Sequence, residues 1–170
     1  FFADTTVNLE CDAESLADIA EMVADEAKQS FETNPRVAML SYSNFGSARG
    51  KTADMAARAV EILAKRRPDL EVEGDMQANV AVDYALQKQT FPFTRLKGAA
   101  NVLIFPNLEA GNVAYKLLRE LGNVPAVGPV LLGMNKPISV LERDSSVDAI
   151  VHMAALTVVQ AQKRARQLAG

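Results

Sequence analysis

Ser43, Asn44, Gly46 and Ser47, followed by Gly50, Lys51 and Thr52, form the stretch SNFGSARGKT, and residues of these types can hold a phosphate. Backbone N–H groups of a Gly-rich turn, serine hydroxyls and the positive end of a following helix all favour an anion. The nucleoside-triphosphate version of such a loop needs four residues between its first Gly and its Gly-Lys-Thr. Only Ser47, Ala48 and Arg49 separate Gly46 from Gly50, so the loop is one residue short. That chemistry also needs an acidic magnesium holder at the end of a second buried strand, and NVLIFPNLEAGN offers Asn107 there instead. What remains is either a turn that holds a phosphate or carboxylate, or a well-capped strand-to-helix connection that binds nothing.

A second polar constellation lies in GMNKPISVLERDSSVDAIV. Lys136 and Arg143 follow an apolar run there, and guanidinium geometry suits bidentate phosphate binding. The alternative is a surface pairing of Arg143 with Glu142 or Asp144. Asp75 and Asn79 follow a strand-like run and read as turn and helix caps. His152, the single histidine, sits in the apolar AIVHMAALTVV and reads as a structural or interface residue. One Cys, Cys11, cannot form an internal disulfide, and one His with one Cys supports neither a zinc cluster nor a Cys/His nucleophile.

These residues need elements to position them. Asp12 reads as an N-cap, and Leu16, Ile19, Ala20, Val23 and Ala27 recur on one helical face. RVAMLSY is apolar throughout, as expected of a strand buried on both faces. A helix over about 52–67 buries Met55, Ala59, Ile62 and Leu63, with Lys65, Arg66 and Arg67 in its last turn. FFADTTVNLE and LEVEGDM read as strands, NVAVDYALQKQ as a helix, and ANVLIFP as a second buried strand. A helix over EAGNVAYKLLRELG, the strand-like AVGPVLLG and a last helix over about 146–167 complete the chain. Strands alternating with helices predict an α/β fold, a three-layer α/β/α sandwich around a mostly parallel sheet. Functional loops then lie at the carboxyl ends of the strands, which makes 43–51, 75–79, 106–112 and 133–145 candidates to line one cleft.

The composition narrows the function. At 170 residues, 49% apolar and 23% charged, the chain has the makings of a packed domain. A net charge of −3 gives no general attraction to nucleic acid or to an anionic membrane. Arg58, Arg66, Lys163, Arg164 and Arg166 read as solvated helix surface. No apolar run approaches the roughly 20 residues that span a bilayer, and the expected setting is cytoplasmic. The start at Phe1, without an initiator Met, reads as a piece of something longer.

RVAMLSYSNFGSARG, EVEGDMQANVAVD, LKGAANVLIFPNLEAGNVAYKLLRELG, VGPVLLGMNKPISVL and SVDAIVHMAALTVVQAQ, taken in order, resemble the phosphate acetyltransferase family. Ser43–Ser47 and the stretch GPVLLGM at 128–134 look most like the transferase-like domain at the carboxyl end of large bacterial NADP-dependent malic enzymes. The resemblance implies an isocitrate/isopropylmalate dehydrogenase-like fold with two lobes. Residues 1–143 would then be the second lobe and 144–170 a terminal helix that packs back on the first. The candidate ligand contacts are Ser43, Asn44, Gly46, Ser47, Asn107, Lys136 and Arg143. Family transferases carry Leu-Ser-Arg-Gly followed by Val-Asp-Asp or similar, where the Ser positions the CoA thiol, the Arg holds the acyl phosphate and the second acid is the general base. This chain reads Leu141-Glu142-Arg143-Asp144, then Val147-Asp148-Ala149. Arg143 is retained, Glu142 replaces the serine and Ala149 the base, so both catalytic positions are degenerate. Asp148 is one residue away, which on a helix turns the side chain by about 100°.

The resulting expectation is a noncatalytic domain that responds to acetyl-CoA and dimerises. It carries no cofactor of its own and belongs with an N-terminal malic enzyme domain that uses NADP and a divalent metal, Mg or Mn. An active phosphate acetyltransferase and a purely structural assembly module are the alternatives.

Overall fold

A strand with apolar side chains on both faces must be covered on both faces, and RVAML is such a strand. The structure is a computed structural model that describes residues 1–143 and 145–169, with the side chains of 167–169 left aside. In chain order it contains β1 (Phe2–Ala3), α1 (Ala13–Phe31), β2 (Arg36–Leu40), α2 (Lys51–Arg66), β3 (Glu71–Met76), α3 (Ala78–Val82), α4 (Tyr84–Thr90), β4 (Val102–Ile104), α5 (Leu108–Gly122), β5 (Val130–Leu131), β6 (Ile138–Ser139) and α6 (Val147–Ala169). The main sheet has the order β1-β4-β2-β3 and is parallel throughout. β2 is central, with Val37, Ala38 and Met39 opposite Val102, Leu103 and Ile104 on one side and opposite Val72, Glu73 and Gly74 on the other.

Alternation along β2 divides the interior in two. Val37 and Met39 join Val72, Val102 and Ile104 under the apolar faces of α1 and α2, where Leu16, Ala20, Ala27, Ala59 and Leu63 are buried. Ala38 and Leu40 face the other way, onto Met76, Val80, Ala81, Leu96, Leu103 and Phe105. The result is the three-layer arrangement with a mostly parallel sheet. Each fully buried large side chain in these clusters contributes about 1.5–3 kcal/mol relative to exposure. Asp12 caps α1 as expected, its carboxylate accepting from the Ser15 N–H at 2.8 Å. Arg66 and Arg67 tie the end of α2 to Glu14, Asp18 and Asp25 on α1.

Three elements differ from the sequence reading. FFADTTVNLE is a strand only at Phe2–Ala3, because the Asp4 carboxylate gathers the N–H groups of Thr6, Val7 and Asn8 into a turn. NVAVDYALQKQ breaks into α3 and α4 at Asp83, which is extended and whose side chain accepts from the Leu86 N–H. This is the familiar competition of a short acid with helix continuation. AVGPVLLG is a strand only at Val130–Leu131, partly exposed and paired antiparallel with β6 in a separate two-stranded ribbon. Gly128-Pro129 precedes it, and proline has no N–H to give a ladder. α6 lies against α1, where the Gln160 amide donates to Glu26 Oε1 at 2.8 Å and Lys163 donates to the Gln29 carbonyl. Ser139 and Thr157 are hydrogen-bonded between β6 and α6.

α5 approaches the end of β1 so closely that a Cβ on Gly111 would stand 2.1 Å from the Asp4 carbonyl oxygen. Gly111→Ala is therefore expected to destabilise the fold by about 1–3 kcal/mol, the usual cost of forcing extra volume against fixed backbone. The check is the midpoint of urea unfolding, with Glu120→Ala at an exposed position of α5 as reference.

Candidate functional site

The carboxyl ends of parallel strands share one edge of the sheet, so the loops after β2, β3 and β4 come together as expected. After β2 the chain turns toward α2 on one face of the sheet, and after β4 it turns toward α5, whose Ala110 and Ala114 pack on the opposite cluster. Connections that diverge from neighbouring strands leave a crevice between them, the usual ligand position in such sheets. Ser43, Asn44, Gly46 and Ser47 stand on one side of it and Asn107 on the other. Asn107 is occupied as the N-cap of α5, accepting from the Ala110 N–H at 2.9 Å.

The loop at 43–48 closes on itself. Its N–H groups can be followed one by one. Ser43 donates to Ser41 Oγ at 3.1 Å, and Asn44 donates to Ser47 Oγ at 2.9 Å. Phe45 donates to the Asp75 carbonyl at 2.7 Å, and Gly46 to Asp75 Oδ1 at 3.0 Å. Ser47 and Ala48 donate to the Asn44 carbonyl and Ser43 Oγ, both at 3.0 Å. Phe45 and Gly46 take positive φ, 47° and 80°, to achieve this. Every amide expected to cradle an anion therefore already has an acceptor, one of them a carboxylate. The capped turn is the form seen, and Ser43, fully buried, is its pin.

Asp75 is the residue that the sequence reading underestimated. It does not cap α3, whose N-cap is Gln77 without a side-chain bond. It occupies a bulge in the β2–β3 pairing, where Met39 faces Gly74 and Leu40 faces Met76. The carboxylate is 2% exposed, and its Oδ2 has no hydrogen-bond partner. Asn44 completes the junction by accepting from the Gln77 N–H at 2.8 Å. Asn79 is exposed. The only signal for Asp75 in the sequence is an acid directly after Gly74 at the end of an alternating strand.

Lys136 and Arg143 are not brought to this edge. They follow β5 and β6, outside the main sheet, so the segment 133–145 does not join the loops at 43–51, 75–79 and 106–112. Lys136 lines a cavity of about 400 Å³ with Glu26, Gln29 and Ser30 at the carboxyl end of α1. That end of α1 leads into the start of β2, a strand's length from Ser43. Arg143 is exposed in a turn. Glu142 does not hold it. The Glu142 carboxylate pairs instead with α5, 3.9 Å from Lys116 Nζ and 3.6 Å from Arg119 Nη1. Asp144, the other surface partner considered for Arg143, lies outside the described residues. Ala149 is half-buried in the first turn of α6, and Asp148 beside it is exposed. His152 is exposed. Among the described residues no group of three or more His, Cys, Asp or Glu is placed to hold a metal ion, and no helix is long and apolar enough to cross a membrane. Burial, then the carboxylates of Asp4, Asp12 and Glu10, pushes the Cys11 thiol up, away from the reactive thiolate.

A parallel α/β sheet with a self-capped serine turn at its carboxyl edge defines the class, and comparison supplies the lineage. Residues 1–158 match the family model of phosphate acetyl/butaryl transferase, and the chain belongs to that family. It is 43% identical over 162 residues to a phosphate acetyltransferase of Clostridium acetobutylicum, covering 95% of this chain and 49% of that protein. It is 44% identical over 163 residues to an NADP-dependent malic enzyme of Escherichia coli, covering 95% of this chain and 21% of that one. A phosphotransacetylase structure from Streptococcus pyogenes superposes with a TM-score of 0.89 at 38% identity, covering 95% of this chain and 49% of that chain. The chain thus spans about half the length of the Clostridium phosphate acetyltransferase and about a fifth of the Escherichia malic enzyme.

With its amides satisfied, the loop is expected to stay free of anion in a crystal of the full-length protein grown from sulfate. Ser43→Ala removes the acceptor for the Ala48 N–H inside a buried turn. It should cost about 1–3 kcal/mol of stability, the penalty of a buried donor left unmade, measured by urea unfolding. Sulfate density on the amides of 44–47 would overturn this account of the loop.

Proposed function

We propose that this chain is a noncatalytic, acetyl-CoA-responsive and dimerising domain of an NADP-dependent malic enzyme. Residues 1–143 serve as the second lobe of a transferase-like unit, and the segment 144–170, which carries α6, closes it. The observation that carries the reading is the condition of the two positions where the family resemblance implies catalysis. At one, Glu142 is engaged by Lys116 and Arg119. At the other, Ala149 has no atom that can accept a proton. A positioned general base contributes about 10² to 10⁴ in rate, and here the CoA thiol proton has nowhere to go. Glu142 is a poor replacement, since a carboxylate beside bound phosphate repels it. At about 4 Å and an effective dielectric near 20 that repulsion is on the order of 4 kcal/mol. Acetyl-CoA recognition without turnover fits such a site, with NADP and the divalent metal belonging to the malic enzyme domain.

The relatives named phosphate acetyltransferase favour a second reading, an active transferase. The assay that separates them is acetyl phosphate formation from acetyl-CoA and phosphate by the full-length protein. The wild type should run at least about 100-fold below an ordinary family transferase, and the Glu142→Ser, Ala149→Asp double variant should recover part of that. Wild-type turnover at the ordinary rate would establish the transferase instead. In parallel, acetyl-CoA should change malate turnover by the full-length enzyme, since coupling between two sites is what a sensor requires.

Dimerisation rests on the apolar faces of α5 and α6. Val113, Leu117 and Leu121 form a helical stripe on α5, with Leu121 83% exposed. Ile150, Val151 and Val158 are exposed on α6. An apolar stripe of this extent marks a covered surface. The full-length protein is expected to sediment as a dimer or larger assembly at micromolar concentration, and Leu117→Glu with Leu121→Glu should shift it toward monomer. A wild-type monomer would contradict the reading.

A further inference from the structure

The cavity of about 400 Å³ at the carboxyl end of α1 lies between α1, the β5–β6 ribbon and α6. Among the described residues three cations line it: Lys136 from the turn between β5 and β6, and Lys163 and Arg164 from α6. One carboxylate, Glu26, lines it with them, and it already accepts from the Gln160 amide at 2.8 Å. Two of the cations are held by neutral acceptors, which leave their charge uncompensated. Lys163 donates to the Gln29 carbonyl, and Arg164 Nη1 donates to the Met134 carbonyl at 2.9 Å. Glu32 stands 4.0 Å from Lys163, but its side chain is 88% exposed, and a pair so open to solvent does little to neutralise the ammonium group. Lys136 has no ion pair or hydrogen bond among the described residues. The negative end of a helix dipole attracts cations, and this accounts for Lys163 at the last carbonyls of α1. It does not account for Lys136, which makes no such contact, or for Arg164, which is bonded to the ribbon.

We propose that this cavity binds a small organic dianion, a phosphate monoester or a dicarboxylate, whose oxyanion groups are met by Lys136, Lys163 and Arg164. Arg164 has one Nη engaged with Met134, so its other N–H groups remain for a bidentate oxyanion. Leu131, Leu132 and Pro137 supply an apolar wall for the carbon part of the ligand, and the volume is at the low end for small-molecule sites, about 300–1,000 Å³. A bare inorganic anion uses the charges but not that wall. Because the three cations come from the ribbon and α6 while the far wall is α1, a ligand there ties both later elements to the main domain. The cavity lies a strand's length from Ser43, and the inference does not rest on the proposed acetyl-CoA response.

The test is calorimetric titration of the full-length protein with glycerol 3-phosphate, succinate and sulfate at constant ionic strength. At least one of the two organic dianions should bind, about fourfold or more tighter than sulfate, the worth of one buried methylene. Binding of glycerol 3-phosphate alone assigns the site to phosphate monoesters, binding of succinate alone assigns it to dicarboxylates, and binding of both assigns it to either. Lys136→Gln removes an exposed cation that holds nothing else in the fold, and should weaken that binding about tenfold, the low end for a hydrogen bond to a charged group. Ser30→Leu fills the cavity from a half-buried position on α1 without removing a charge, and should abolish it. No binding of either organic dianion, or sulfate binding as tightly as both, would overturn the site. Binding that persists unchanged in Lys136→Gln and Ser30→Leu belongs elsewhere on the protein and overturns it equally.

Discussion

Both halves of the core depend on one strand of five residues. β2 is hydrogen-bonded on both edges and buried on both faces, so its backbone groups and side chains are satisfied only if β3, β4 and two helical layers are all in place. Val37 and Met39 commit one face to α1 and α2, while Ala38 and Leu40 commit the other to the α3–α4 side. A shift of one residue in register would exchange the two sets and bring Met39 to the side sized for Ala38. The parallel ladder goes with the same constraint, because parallel strands need crossover connections and the helices in those crossovers are what cover both faces.

The carboxyl edge inherits this constraint as a problem of loose ends. Where β2 stops, the chain must turn toward α2, and its amides lose their ladder partners while still close to the core. Ser41, Ser43, Ser47 and Asp75 supply acceptors for them in turn, and the two positive-φ residues let the loop fold over those acceptors. The phosphate-loop likeness of SNFGSARGKT therefore has a structural origin. Serines and a glycine next to a helix start can serve the protein's own backbone as readily as a ligand. What decides between the two uses is a residue 29 positions further on, Asp75, whose carboxylate enters the loop from β3.

This explains what could be read in advance. α1, α2, β2, β3 and β4 are periodic or continuously apolar over their whole length, and local pattern agrees with tertiary burial there. The breaks at Asp4 and Asp83 come from single side chains that capture backbone N–H groups, which periodicity does not register. The occupation of the loop amides was not legible because its decisive contact is long-range and consists of one oxygen. AVGPVLLG was misread for another reason. Its apolar residues resemble those of a buried strand, yet Val127 remains exposed and Val130 and Leu131 are only half-buried. Hydropathy shows that such residues want cover; it does not show where the cover comes from.

On the proposed reading, Glu142 illustrates how a site position changes use. A serine there could offer a hydroxyl to a ligand, but it could not hold two cations. A glutamate can, and in this fold it pairs the 140–143 segment with Lys116 and Arg119 on α5. Each contact is half-exposed and adds only about 0–1 kcal/mol, so the pairing is a poor source of stability. Its consequence is positional. The same two cations that would attract an anionic group now face an internal carboxylate, and any such group has to displace it. On the proposed reading Ala149, in the first turn of α6, offers no proton acceptor either, so both positions lower the return on chemistry, and neither disturbs the two cores that β2 holds together.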